Sequence, residues 1–138
     1  IEGLDGSGKT TQSELLVNRL REQGMATGML RIRYLRPFAS RDLALTLAHT
    51  RAVGVLEKDV SFGAEGTVFT NVNSALFQQD AHVPTCNFIG GLGGADITAD
   101  QVAGAFKTLT FAAGGAAERV QFLGINSMAD TFGSKKGR

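Results

Sequence analysis

Eighteen glycines in 138 residues fall in short turns between apolar runs rather than in a low-complexity linker, and this placement constrains the chain more than any other feature. Glycine makes up about 13% of the sequence, against about 7% in an ordinary globular protein. The run Gly90, Gly91, Leu92, Gly93, Gly94 demands backbone angles that residues with a Cβ resist. Short apolar segments closed by tight turns fit strands joined through helices.

Thr11 to Gln23 places Leu15, Leu16 and Leu20 at helical spacing, with Gly24 positioned to end the helix. Met29 to Leu35 alternates with period two and is closed by Pro37, which predicts a strand. Ser40 is placed to cap a helix carrying Leu43, Leu45, Leu47 and Ala48, and Ala52 to Leu56 reads as a short buried strand. Thr67 to Gln79 repeats Val68, Val72, Ala75, Leu76 and Phe77 at three- and four-residue spacing, and Pro84 to Ile89 is the next strand. Thr98 and Gln101 form a capping box ahead of Val102, Ala105, Phe106 and Leu109, and Val120 to Ile125 is the last strand. Strand and helix in turn predict an α/β fold with a doubly wound, mostly parallel sheet of about five strands. Residues 1–126 are read as a single α/β domain, with 1–24 a strand-turn-helix, and 127–138 as a flexible tail.

Hydrophobic residues at 43%, charged residues at 20% and a net charge of +1 exclude a disordered chain and give a polyanion no purchase, so nucleic acid is not an expected partner. No apolar run reaches the roughly 18 residues of a membrane span, so no membrane partner is expected and the expected location is the cytoplasm. The single cysteine, Cys86, rules out an internal disulfide and a cysteine-held cluster. The chain opens on Ile1 two residues before a glycine turn, and is read as a fragment or partial gene product whose stub of a first strand predicts marginal stability or self-association in isolation.

Gly3, Leu4, Asp5, Gly6, Ser7, Gly8, Lys9 and Thr10 match G-x-x-x-x-G-K-[ST], in which backbone N–H groups curl around a phosphate at a helix start. In that reading Lys9 meets β- and γ-phosphates, Thr10 holds magnesium, and ATP with magnesium is the ligand. The other reading is a glycine turn joining strand to helix without ligand. Ile1 to Leu20 resembles the opening of thymidylate kinases, and the resemblance places Asp5 near the acceptor nucleotide. Downstream the chain departs from that family: Arg41-Asp42 reverses the expected Asp-Arg order and no arginine-bearing lid follows.

From about Leu20 onward the blocks RLREQG, GMLRIRYLRPF, AVGVLEKDVSFGAEGTVFTNVNSALF, NFIGGLGGADIT and ERVQFLGI resemble the C-terminal domain of the α subunit of 2-oxoacid:ferredoxin oxidoreductases, the pyruvate synthase type. The resemblance implies a domain like the last domain of transketolases, non-catalytic by itself. It assigns thiamine diphosphate and iron–sulfur clusters to the assembled enzyme, with no cofactor in this domain, and implies beta-, gamma- and delta-type subunits as partners and ferredoxin indirectly. Two loops at the carboxyl ends of strands are the candidate docking surface: Ser61, Phe62, Gly63, Glu65 and Gly66, and Gly91, Gly93, Gly94 and Asp96. The alternative is that both are tight turns with no partner. Ala95 stands where the family leads one to expect arginine, which removes a fork for carboxylate or phosphate.

Glu57, ending a buried strand, is either a magnesium-binding acid or simply the first solvent-exposed residue, and the second is preferred. Arg31, Arg33 and Arg36 read as a solvated strand face, His49 and His82 as surface positions, and Cys86 as packing.

Overall fold

Alternation along one short run sets the architecture. In β1 (Val53–Glu57), Val53, Val55 and Glu57 are buried, whereas Gly54 and Leu56 face the opposite side of the strand. A computed structural model describes residues 9–62, 64–115 and 118–124. The described chain runs through α1 (Lys9–Glu22), α2 (Ser40–Leu47), β1, α3 (Thr67–Gln78), β2 (Thr85–Ile89), a 3-10 turn (Leu92–Gly94), α4 (Ala99–Ala112) and β3 (Val120–Phe122).

The three strands form a parallel sheet in the order β1-β2-β3, with Val55 opposite Asn87, Leu56 opposite Phe88 and Ile89 opposite Phe122. On one face Val53 and Val55 pack with Leu43 and Ala44 of α2 and with Phe69, Val72, Ala75 and Leu76 of α3. On the other, Cys86 and Phe88 meet Ala105 and Ala112 of α4, with Leu56, Leu109 and Leu123 alongside. α1 packs on α4. Helices on both faces of a parallel sheet make this the doubly wound α/β class.

Three described strands replace the expected five or so. Met29 to Leu35 has no regular secondary structure, with a bend at Leu35, and belongs to no sheet among the described residues. Only Ile32 of that run packs on the α2–α3 cluster, and Met29, Leu30, Tyr34 and Leu35 are exposed. Period-two patterning supplies a strand's side chains, not the neighbour whose N–H and C=O groups complete a ladder. The "solvated strand face" of Arg31, Arg33 and Arg36 therefore falls on an unpaired segment. The final strand is three residues, Val120–Phe122. Ser40 is the first helical residue of α2 rather than its cap; Ala39 holds that position and no side chain caps the helix. Gly24 does end α1, where the N–H of Met25 reaches the Leu20 carbonyl at 3.0 Å. Within α3 the buried aromatic is Phe69, at 0% exposure, while Phe77 is 84% exposed. Residues 1–8 at the start of the predicted domain, 125–126 at its end and the predicted tail 127–138 lie outside the described residues.

Candidate functional site

The carboxyl edge of β1 and β2 is organised around a buried carboxylate. Glu57 closes β1 on the α3 side of the sheet and is 8% exposed. One of its oxygens accepts the backbone N–H of Val68 at 2.9 Å; the other accepts the N–H of Phe69 at 3.0 Å and the Asn87 side-chain amide at 2.8 Å. The first turn of α3 has N–H groups with no helical partner and a positive dipole end, and Glu57 satisfies both needs. Asn87, fully buried on β2, accepts the Gly66 N–H at 2.7 Å and donates to the Val55 carbonyl at 3.3 Å as well. A Cβ on Gly66 would stand 1.9 Å from the Glu57 carboxylate, so only glycine allows the helix start to close on the acid. Glu57 is neither the first solvent-exposed residue nor an acid open to magnesium: its own chain already occupies its oxygens.

The connection from β1 to α3 is tied down on top of this base. Thr67 donates its hydroxyl to Asp59, Ser61 N–H bonds to the Glu65 carbonyl at 2.8 Å, and Ala64 N–H bonds to the Ser61 carbonyl at 3.1 Å. The Glu65 carboxylate accepts the Thr70 hydroxyl at 2.9 Å and lies 3.5 Å from the Arg119 guanidinium, which stacks 5.2 Å from the centre of the Phe69 ring. Phe62 stands out of this bracing with φ of 50° and 106% exposure, the full ring in solvent. A bulky residue in the left-handed region is a backbone outlier that costs on the order of 1–3 kcal/mol.

The loop after β2 adjoins it, since the Gly90 N–H bonds to the Glu57 carbonyl at 3.0 Å. Gly91, Gly93 and Gly94 have φ of 72°, 65° and 83°, which accounts for that glycine run. Asp96 is exposed beside Ala95, and the Thr98–Gln101 capping box then starts α4.

The structure thus brings Ser61, Phe62, Glu65 and Gly66 to the same edge as Gly91, Gly93 and Gly94, while Gly63 lies outside the described residues. Of the phosphate-loop set, Gly3, Asp5, Gly6, Ser7 and Gly8 also lie outside them, and Lys9 and Thr10 open α1. Sequence reasoning missed Asn87 and Phe69 and misplaced Glu57. An asparagine inside an apolar strand was the available signal, because a buried amide needs partners. Among the described residues no group of three or more His, Cys, Asp or Glu side chains is gathered to hold a metal ion. Burial pushes the Cys86 thiol above its usual range.

The site thus consists of a doubly wound domain whose carboxyl edge is sealed by its own carboxylate and presents an exposed aromatic loop. Comparison with known proteins specifies the family. Residues 6–102 match the family model described as pyruvate:ferredoxin oxidoreductase core domain II, and the chain belongs to that family. Among its relatives, the pyruvate synthase subunit PorA of Thermotoga maritima is 38% identical over 92 residues, 67% of this chain and 24% of the relative. The ketoisovalerate oxidoreductase subunit VorA of Pyrococcus furiosus is 36% identical over 86 residues, 62% of this chain and 22% of the relative. Matches to such relatives thus take in less than a quarter of their length. The thymidylate kinase resemblance of Ile1 to Leu20 gains no support from these comparisons.

Proposed function

We propose that the chain is a structural and subunit-interaction domain of the α subunit of a thiamine-diphosphate-dependent 2-oxoacid:ferredoxin oxidoreductase, non-catalytic by itself. Its partners in this reading are the beta-, gamma- and delta-type subunits, with ferredoxin reached indirectly and the cytoplasm as the location. No helix among the described residues is long and apolar enough to cross a membrane. The observation that carries the reading is Phe62: a fully exposed ring on a loop held by side-chain and backbone bonds at Asp59, Ser61 and Glu65. Such pre-ordering lowers the entropy lost on association, and aromatic anchors dominate interface energies.

Thiamine diphosphate and the iron–sulfur clusters belong to the assembled enzyme. The start of α3 does not fit the diphosphate: the N–H groups of Val68 and Phe69, which would receive an anion there, already hold the Glu57 carboxylate. A second negative group would meet the first at contact distance.

The test is co-purification of the chain with the diphosphate-binding partner subunit, followed by titration calorimetry. Wild type is expected to bind, and binding should survive Phe77→Ser, on another part of α3. Absence of any complex would end this reading. The competing nucleotide reading of Lys9 and Thr10 is checked beside it: magnesium-ATP would raise the melting temperature of wild type and not of Lys9→Ala.

A further inference from the structure

We infer that the run from Met29 to Leu35 is a receiving edge for an acidic, extended segment of a partner protein, which adds to it as a β-strand. Among the described residues no backbone N–H or C=O from Met29 to Tyr34 enters a hydrogen bond, and the run lies outside the sheet. Ile32 packs on the α2–α3 cluster, while Met29, Leu30, Tyr34 and Leu35 stay exposed, Tyr34 at 76%. The sequence alternates here with period two, Met29, Arg31, Arg33 and Leu35 against Leu30, Ile32 and Tyr34. Strand addition uses this combination: open main-chain groups supply the affinity and alternate side chains supply the choice of partner.

Charge defines the partner. Between Met25 and Arg51 the chain carries five arginines, no lysine and one acid, Asp42. Among the described residues none of the five arginines is paired with a carboxylate. A guanidinium is a planar fork that matches a carboxylate through two parallel bonds, a match lysine does not make. In an added strand Arg31 and Arg33 fall on one face, two positions apart. The complementary segment therefore carries carboxylates at alternate positions with apolar residues between them, since opposite charges across a strand pair attract.

The same charges argue against other occupants. A second copy would set its own Arg31 and Arg33 against the first pair, and like charges across a strand pair repel. Nucleic acid is the poorer match because the whole chain carries only +1, with Asp59, Glu65, Asp96 and Asp100 along the loops of the carboxyl edge. A short acidic segment responds to the charge within a screening length of about 10 Å, whereas a long polyanion also meets those acids.

The probe is a fluorescent peptide of about nine residues that alternates glutamate and valine, followed by anisotropy against the full chain. Wild type should bind it with a dissociation constant of about 100 µM or tighter at about 20 mM salt, and more weakly at about 200 mM. Two further peptides carry N-methyl groups on one or the other alternate set of backbone nitrogens. Only one set faces the receiving edge, so one methylated peptide should lose at least tenfold and the other should bind like the parent. Arg31→Glu with Arg33→Glu should lose the acidic peptide at least tenfold and take up the version with lysine in place of glutamate, a gain that also shows the variant folded. Phe62→Ser should bind as wild type does. Failure of wild type to bind the acidic peptide overturns the inference. So does equal behaviour of the two methylated peptides, full binding of the acidic peptide by the double variant, or tighter binding of a single-stranded DNA of equal charge.

Discussion

At the residue scale, the best-determined position is Glu57, and its worth follows from what it leaves behind. Glu57→Ala strips partners from Val68 N–H, Phe69 N–H and the Asn87 amide at a buried site. Its expected cost is about 2–4 kcal/mol in urea unfolding, with Glu57→Gln milder because one acceptor oxygen remains. Gly66→Ala should cost about as much, since the new methyl lands on the carboxylate. The two losses compete for one space, so the double variant should fall well short of their sum; additivity would show that the 1.9 Å approach does not govern the site. Cys86 gives a pH prediction. Its thiol titrates above the usual value in the folded chain, so the unfolded chain ionises first as pH rises. Stability is therefore full below the unfolded value of about 8.5 and declines above it. Cys86→Ala should flatten that decline between about pH 8 and 10.

At the element scale, the capping of α4 and the edge of β1 make separate predictions. The Thr98 hydroxyl accepts the Gln101 N–H at 3.2 Å, and the Gln101 side chain accepts the Thr98 N–H at 2.9 Å. Thr98→Ala should cost about 1 kcal/mol, measured as a lower urea midpoint with an unchanged slope. In β1 the N–H of Val53 faces β2, reaching the Pro84 carbonyl at 2.9 Å, and the Glu57 carbonyl faces it too, accepting the Gly90 N–H. Strand geometry then turns the backbone groups of Gly54 and Leu56 to the outer edge, where no described strand lies. Their amides should exchange with deuterium faster than that of Val55. Equal protection of all three would mean that the outer edge is covered.

At the scale of the whole molecule, the two ends of the sheet differ in what they offer. The carboxyl end is closed internally by Glu57 and Asn87 and projects Phe62; the other end of α3 projects Phe77 beside a hollow. Phe62→Ser should leave the melting temperature within about 1 °C of wild type or raise it slightly, because the substitution removes no internal contact and serine tolerates the turn better. The same variant should weaken partner binding at least tenfold. A large drop in melting temperature would mark Phe62 as a packing residue instead.

The sequence by itself determined the elements whose signals are local. Leucine spacing and Gly24 set α1, the Thr98–Gln101 box starts α4, and the runs at Val53–Glu57 and Thr85–Ile89 form strands because their apolar side chains need two covered faces. It also carried the α/β class and, through blocks such as SFGAEG and GGLGG, the family resemblance. What only the tertiary structure decided depends on neighbours distant in the chain. Met29 to Leu35 has a strand's pattern but no described partner, so pattern alone does not make a ladder. Phe69 and Phe77 lie eight residues apart on one helix, and contact with Val53 and Val55 selects the first for the core. Glu57 and Asn87 are thirty positions apart, and their meeting at 2.8 Å rests on the register of two parallel strands. A carboxylate reads as exposed until the donors that justify its burial are folded around it.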